Sequence, residues 1–204
     1  MASERLYLYP VWVRLWHWFN ALMCLILILT GVSMQYSNPE FPMIRFDLAV
    51  TWHNVSGVLI TASYIIFIIG NLVTRNGKYY RAKIKGLFKR LYKQFMYYLI
   101  GIFKDAKKPY PITKKRKFNP LQKLSYILIM YVAMPLIFIT GWALLYPEAI
   151  IHNFLGFSGL HLTGLLHIFS GFIISVFMLV HIYFCTIGTT ALSNFKAMIN
   201  GWHE

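Results

Sequence analysis

Four long runs of apolar residues divide the chain, and each is long enough to cross a lipid bilayer as a helix. They cover about residues 15–34, 51–73, 121–145 and 160–191. A membrane-spanning helix needs about 20 predominantly apolar residues, and the connections between the runs carry prolines, which do not continue helices. The pattern predicts an all-α integral membrane protein, a four-transmembrane-helix bundle in which residues 1–204 form a single domain.

A fifth segment, between the second and third runs, places apolar and basic residues on opposite sides of a helix. Lys85, Lys89 and Lys93 lie on the basic side. A helix of this kind lies in the membrane interface against anionic lipid, so we expect an additional cytoplasmic interfacial amphipathic helix. A docking surface for a partner subunit is the alternative. The apolar positions are Ile84, Leu87, Phe88, Leu91, Phe95, Leu99 and Ile102.

The charge of the chain is concentrated in one connection. Only 13% of the residues are charged, against about 25% in soluble domains, yet sixteen of the 20 lysines and arginines lie between Thr74 and Lys123. Basic loops stay on the cytoplasmic side, so we expect loop 74–120 and both termini there. The net charge of +14 therefore indicates topology and a lipid surface, and we expect no nucleic-acid partner.

Histidines occur inside the apolar runs, where ionisable groups are costly and mark functional sites. In the fourth run His167 and His181 are 14 positions apart. At about 100° and 1.5 Å per residue they share one helix face and are roughly 21 Å apart along the axis. His17 lies near the start of the first run, and His53 near the start of the second.

Depth in the membrane pairs these four histidines. With a cytoplasmic N-terminus, His17 and His181 lie near the cytoplasmic face, and His53 and His167 lie near the outer face. Each pair suits one haem b with two neutral imidazoles as axial ligands, held in the bundle core. Both axial positions are then filled, which leaves no position for oxygen or substrate and implies electron transfer. Neither cysteine forms a CxxCH motif, so covalent haem has no support.

Glycines near the histidines add to this interpretation. Gly57 and Gly171 each follow a histidine by four residues, in HNVSG and HIFSG, and Gly31 follows His17 by 14 residues. A missing side chain one helical turn from a ligand lets a flat macrocycle approach the backbone. Chance or close helix packing is the alternative explanation.

Two functions from other classes compete with a haem protein. One is a metal-ion transporter whose histidines bind zinc or iron transiently, and the other is a structural anchor whose histidines are satisfied core residues. A transporter needs carboxylates along its pathway, and all six acidic residues lie outside the four runs. They are Glu4, Glu40, Asp47, Asp105, Glu148 and Glu204.

Five short motifs resemble a known family. They are WHW at the start of the first run, WHNVSG in the second, FNPLQK before the third, and LLHIFSG and LVHIY in the fourth. They are similar to those of the four-helix di-haem cytochrome b subunits of respiratory formate dehydrogenase, nickel–iron hydrogenase and thiosulfate reductase complexes. The resemblance covers nearly the whole chain, and its haem ligands fall on the same four histidines.

The resemblance also implies a quinone pocket beside the cytoplasmic haem. The polar positions at the entry to the third span fall on Asn119 and Gln122, with Pro120 and Leu121 between them. The formate dehydrogenase form has a glycine in place of Leu121. A helix N-cap and a surface amide are the alternative roles for these two side chains. Arg14 and Lys123 are candidates to bind haem propionates or lipid phosphates.

The function that the resemblance implies is electron relay. Electrons would pass between a catalytic or electron-carrier subunit (iron–sulfur or multihaem) at the outer face and a quinone, menaquinone or ubiquinone, near the cytoplasmic face of a prokaryotic inner membrane. The chain shows no substrate chemistry of its own, so we expect a non-catalytic subunit. A self-contained di-haem electron-transfer protein without a quinone site is the closest alternative.

Overall fold

The computed structural model describes residues 5–38, 40–81 and 83–203, so the acidic residues Glu4 and Glu204 lie outside the described residues. Within these ranges the chain is mainly helical, with two pairs of two-residue strands. The helices are α1 (Val11–Tyr36), α2 (Phe46–Val73), α3 (Leu87–Leu99), α4 (Pro120–Leu128), α5 (Met134–Leu145), α6 (Gly159–Cys185) and α7 (Ser193–Asn200).

Four helices are long and apolar enough to cross a membrane, which confirms the predicted all-α membrane fold. They are α1, α2, α6 and the continuous helix Pro120–Leu145, which contains α4 and α5. The helix α2 begins at Phe46, earlier than predicted, so Asp47 lies in its first turn, where it forms an exposed ion pair of 2.8 Å with Arg45.

The fourth spanning helix ends at Cys185, before the predicted limit of 191. Helix ends leave carbonyl groups without intrahelical partners, and polar side chains satisfy them here. The Thr186 hydroxyl donates to the carbonyl of Tyr183 at 2.7 Å, and the Asn194 amide donates to the carbonyl of Cys185 at 3.1 Å. Side-chain hydrogen bonds, which hydropathy does not register, therefore end the helix.

The two ends of the described chain lie side by side. Strand β1 (Leu6–Tyr7) pairs antiparallel with β4 (Trp202–His203). At the other end of the bundle, β2 (Asn153–Phe154) and β3 (Phe157–Ser158) form a hairpin that leads into α6. Both ends of the chain are therefore on one side of the bundle, and the hairpin is on the other.

The core of the bundle takes one residue from each spanning helix. Met23, Ile60, Met134 and Ile174 form a buried apolar cluster. Polar contacts also join α1 to α2: the Asn20 amide donates to the Ser63 hydroxyl at 2.7 Å. Lipid supplies no hydrophobic force between membrane helices, so packing and interhelical hydrogen bonds of this kind hold them together.

A π-helical turn at Ile129–Ala133 interrupts the third spanning helix. The cause lies in Pro135, just after the turn, because proline has no backbone N–H to donate to the preceding turn. The hydroxyl of Tyr64 on α2 donates to the carbonyl of Met130 at 2.7 Å. A side chain from a neighbouring helix thus satisfies a carbonyl in the disturbed turn.

The predicted amphipathic segment forms α3, shorter than the apolar pattern suggested. Gly86 precedes it with φ of 68°, a left-handed conformation that favours glycine and that breaks the helical pattern after Ile84. Phe88 is 86% exposed and Ile84 is 82% exposed, whereas Gln94 on the other side is buried. An apolar face therefore remains free of the rest of the chain, as expected of an interfacial helix.

A buried lysine lies just before α4. Lys117 is only 3% exposed, and its Nζ lies 4.3 Å from the centre of the Tyr9 ring and 5.5 Å from that of Tyr79. Burial lowers the pKa of Lys117 to about 8 from 10.5, and burial also raises the pKa of Tyr9 to about 12. Aromatic faces attract the ammonium group but do not replace its lost hydration.

Lys117 should make the stability of the protein depend on pH. Because its pKa is lower in the folded state, the unfolded chain binds more protons above pH 8, so stability rises with pH. We expect the free energy of unfolding to increase by about 1–2 kcal/mol between pH 8 and 9.5, and Lys117→Met to remove this increase. Denaturation in detergent at several pH values measures it. Lys107→Met, at an exposed position, is the control, and a pH-independent wild type would contradict the prediction.

Candidate functional site

The predicted outer histidines lie beside each other in the bundle. His53 is in the second turn of α2, and His167 is in the third turn of α6. Their ring centres are 6.2 Å apart, with an angle of 69° between the ring planes. Both rings are half-buried. The two side chains thus point toward a common point between α2 and α6.

The predicted inner histidines form a second pair with nearly the same spacing. His17 on α1 and His181 on α6 have ring centres 6.1 Å apart and ring planes at 57°. Because α6 is continuous from His167 to His181, the two pairs are separated by roughly 21 Å along its axis. One helix therefore supplies a histidine to each of two sites at different depths.

The spacing within each pair fits two imidazoles bound to one metal. Imidazole–metal bonds are about 2.0–2.1 Å and a ring nitrogen lies roughly 1.1 Å from its ring centre, so the two centres should be about 6.3 Å apart. Among the described residues, no three His, Cys, Asp or Glu side chains converge, whereas zinc sites use three or four ligands. The donor sets fit the axial positions of haem.

Two threonines that the sequence did not single out contact the outer histidines. Thr30 Oγ1 on α1 lies 2.9 Å from His53 Nδ1, and Thr140 Oγ1 on α5 lies 3.0 Å from His167 Nδ1. Both threonines are buried. With Nδ1 engaged, Nε2 is the nitrogen that each ring has free to bind a metal.

A glycine follows each of these threonines and lies against the same ring. A Cβ built on Gly31 would be 3.4 Å from His53 Cε1, and one on Gly141 would be 3.1 Å from His167 Cε1. Gly31 therefore lies against a histidine of the outer pair, and Gly141 is a further residue that sequence reasoning missed. The available signal was the Thr-Gly dipeptide, which occurs at 30–31, 140–141 and 163–164, and the first two copies are the ones that lie against the outer histidines.

The other two predicted glycines contact little of the protein. No described atom lies within 4 Å of a Cβ built on Gly57, and only Ile137 Cδ1, at 3.8 Å, is near one built on Gly171. Close packing between helices, the alternative explanation, therefore does not account for Gly57. Their role in packing a macrocycle stays a prediction.

The inner pair has different surroundings. His17 Nδ1 is buried and has no hydrogen-bond partner among the described residues. His181 Nδ1 lies 3.4 Å from the hydroxyl of Tyr126, at the long limit of a hydrogen bond. The ring of Phe177 stacks on His181 with 16° between the planes. Aromatic packing thus replaces the threonine contacts of the outer pair.

The two candidate anion-binding residues lie at the inner end of the bundle. Arg14 donates through Nη1 to the carbonyl of Ile199 on α7, while its Nε is buried without a hydrogen-bond partner among the described residues. Lys123 lies within electrostatic range of Lys83 and Arg90. Arg14 therefore has one buried N–H group without a partner among the described residues, and Lys123 lies among other positive charges, so both positions suit a propionate or phosphate group.

The two candidate quinone residues bond to each other at the start of α4. The Asn119 side chain accepts from the Gln122 backbone N–H at 2.9 Å, and the Gln122 side chain accepts from the Asn119 N–H at 3.2 Å. This capping box satisfies free donors of the first turn, so the N-cap alternative holds for Asn119. Its amide also donates to the Tyr98 hydroxyl at 2.8 Å, and burial raises the pKa of Tyr98.

The remaining histidines of the outer end stand apart from both sites. His152 and His161 are exposed, one before the hairpin and one in the first turn of α6. The structure therefore brings the four predicted histidines together as two separate pairs, and it adds Thr30, Thr140 and Gly141 to the outer pair.

The chain is similar to known cytochromes over almost all of its length. The family described as prokaryotic cytochrome b561 matches residues 8–201. "Putative cytochrome YdhU" of Escherichia coli (strain K12) is 38% identical over 202 residues, 99% of this chain and 76% of the relative. "Probable Ni/Fe-hydrogenase B-type cytochrome subunit" of Rhodobacter capsulatus is 30% identical over 149 residues, 68% of this chain and 54% of the relative. No solved structure matches significantly.

Proposed function

The chain belongs to the prokaryotic cytochrome b561 family, and from this membership and the paired histidines we propose that it carries two b-type haems in series. It is a multi-pass inner-membrane electron-transfer subunit of the cytochrome b type. The proposal adds the number of haems, their ligands, a quinone site and a partner subunit.

The observation that carries the proposal is the pairing of four histidines at two depths, with ring centres 6.2 and 6.1 Å apart. His53 and His167 would hold the outer haem, and His17 and His181 the inner one. An iron held by two imidazoles would have no position for oxygen or substrate, so the group that these residues would hold would supply one-electron transfer. Thr30 and Thr140 contact the imidazoles of the outer pair. Arg14 and Lys123 would bind propionates or lipid phosphates.

The orientation of the bundle follows from its charge. The basic connection between α2 and α4 lies at the end of the bundle where β1 pairs with β4, and basic loops stay in the cytoplasm. We therefore place both termini and the inner pair at the cytoplasmic side. Among the described residues, the hairpin β2–β3 and its flanks carry no lysine or arginine, in keeping with an outer position.

A quinone, menaquinone or ubiquinone, would exchange electrons near the start of α4. Asn119 and Gln122 lie there, and aromatic rings lead from this point to the inner pair. Phe118 and Tyr126 have ring centres 4.9 Å apart, and Tyr126 and His181 have centres 6.0 Å apart. The tyrosine hydroxyl and amide groups supply the polar contacts that a quinone carbonyl needs.

The partner would be a catalytic or electron-carrier subunit at the outer face, of iron–sulfur or multihaem type. The support is the Rhodobacter capsulatus relative, whose name describes a subunit, and the position of His53 and His167 at the end of the bundle away from the basic loop. Lipid contacts would cover the exposed apolar sides of the spanning helices and of α3.

A self-contained di-haem protein without a quinone site is a second candidate. The observation that favours it is the capping box, because Asn119 and Gln122 already satisfy one another. If a quinone does bind here while the cap stays intact, it would have to bind through the Gln122 amide N–H groups or the Tyr98 hydroxyl.

Quinol oxidation by the purified, haem-loaded protein separates the two candidates. A menaquinol or ubiquinol analogue should reduce both haems of the wild type. Two variants, Asn119→Asp and Gln122→Glu, keep the capping oxygens. Each should slow the reduction of the haems at least tenfold, because it replaces amide N–H donors with acceptors. Stopped-flow absorbance measures the rate, and dithionite should still reduce both haems in every variant. Reduction at the wild-type rate in both variants would place the quinone elsewhere, and no reduction by any quinol would favour the self-contained protein.

A further inference from the structure

The outer histidines are held by two copies of one arrangement. On α1, Thr30 contacts the Nδ1 of His53 and the adjacent glycine lies against the same ring; on α5, Thr140 and its adjacent glycine do the same for His167. Each histidine is thus oriented by the spanning helix that precedes its own in the chain. The atom that carries the proton in each contact decides which ring nitrogen is left to bind a metal.

The proton of each contact is assigned by a second hydrogen bond. Thr30 Oγ1 lies 2.7 Å from the carbonyl of Ile26, and Thr140 Oγ1 lies 2.9 Å from the carbonyl of Leu136. A carbonyl oxygen can only accept, so each hydroxyl donates its one proton there. The hydroxyl oxygen can then only accept from the histidine, so Nδ1 carries the proton and Nε2 carries the free lone pair.

The inner histidines lack this arrangement. His17 Nδ1 has no hydrogen-bond partner among the described residues, and His181 Nδ1 has only the long contact of 3.4 Å to Tyr126. A hydrogen bond accepted from the second nitrogen of a metal-bound imidazole raises its basicity. A more basic ligand favours the ferric over the ferrous iron, so the two sites should differ in reduction potential.

We infer that Thr30 and Thr140 are positioning residues that fix the Nε2 tautomer of His53 and His167 and lower the reduction potential of the outer haem below that of the inner one. The inference rests on the proposed di-haem function and extends it. It also gives the relay a direction, because the transfer of an electron from the outer to the inner site is then downhill, toward the cytoplasmic side.

The test is a redox titration of the purified wild type and of Thr30→Val and Thr140→Val, followed by visible and electron paramagnetic resonance spectra. Valine keeps the shape of threonine but removes the acceptor. At a fixed ambient potential we expect the ferrous-to-ferric ratio of one haem to rise about fivefold in each variant, as for the loss of one hydrogen bond, while the other haem is unchanged. His53→Ala, which removes the outer haem, identifies which signal shifts.

Two controls separate the hydroxyl from a general disturbance of the bundle. Thr30→Ser keeps the acceptor and should titrate as the wild type does. Thr51→Val removes an exposed hydroxyl of α2 that donates to the Asp47 carbonyl and should also leave both potentials unchanged. If Thr30→Val loses the outer haem altogether, retention of that haem in Thr30→Ser supports the positioning role.

Several outcomes would overturn the inference. They are unchanged potentials in both haem-loaded valine variants, a serine variant that behaves as the valine one, or an outer haem whose potential in the wild type lies above that of the inner haem. A wild-type protein without haem would instead overturn the proposed function itself, so the two failures are distinguishable.

Discussion

On the proposed di-haem function we expect His53→Ala to lower the haem content of the purified protein from about two to about one per chain, and His167→Ala to remove the same haem. The reason is that the two rings, with centres 6.2 Å apart, would hold one iron between them, so either loss would leave that iron with a single imidazole. Haem content is measured as the pyridine haemochrome per protein, and low-temperature spectra identify the missing haem.

The inner pair provides the complementary result. His17→Ala and His181→Ala should both remove the other haem, and the double variant His53→Ala/His167→Ala should lose no more than either single variant. His152→Ala and His161→Ala, at exposed positions, are the matched controls and should keep both haems. If His53 and His181 variants lose the same haem, the assignment of depth is wrong; if the wild type carries a single haem, the pairing is wrong.

We expect Gly141→Val to remove the proposed outer haem as well, although Gly141 is not a proposed ligand. A Cβ at this position would lie 3.1 Å from His167 Cε1, and the two methyl groups of valine reach further toward the ring. The imidazole of His167 must then turn away from its present orientation toward His53, and this rotation would also break its hydrogen bond to Thr140. We expect at least tenfold less outer haem, an effect of the size typical of a disturbed second shell, with the inner haem intact in the same spectra.

The controls for this prediction are other glycines of the bundle. A Cβ built on Gly164 meets no described atom within 4 Å, so Gly164→Val should keep both haems. Gly141→Ala, which needs a shift of only a few tenths of an ångström, should keep most of the outer haem. At Gly57 a side chain also meets no described atom, so loss of the outer haem in Gly57→Val would come from the macrocycle itself. An outer haem that is retained in Gly141→Val would contradict the close contact.

Much of the bundle was predictable because hydropathy and depth vary along one dimension. An apolar run of about 20 residues has to be a spanning helix, since every backbone polar group must be satisfied within lipid. The basic loop orients the helices, and the fixed rise per residue converts the spacing of His167 and His181 into depth. The matching depth of His53 and His167, and of His17 and His181, follows from these three rules alone.

The neighbours of these histidines were not predictable in the same way. Whether Thr30 or another polar residue reaches His53 depends on how α1 is rotated against α2, and small residues and van der Waals contacts set that rotation in lipid. The partners of Thr140 and Gly141 on α5 additionally depend on the π-helical turn before Pro135, which changes the direction in which every later side chain of that helix points.

Asn119 and Lys117 illustrate the same limit outside the spans. The motif FNPLQK admits a quinone contact or a capping box, and only the folded backbone decided that Asn119 and Gln122 bond to each other. Lys117 belongs to the basic loop that the sequence assigns to a lipid surface, yet the chain buries it against Tyr9, more than one hundred residues earlier. The sequence by itself determined the spans, their direction and the depth of each histidine, because these depend on composition and helical rise. The tertiary structure decided which side chain contacts which, because that depends on helix rotation and packing.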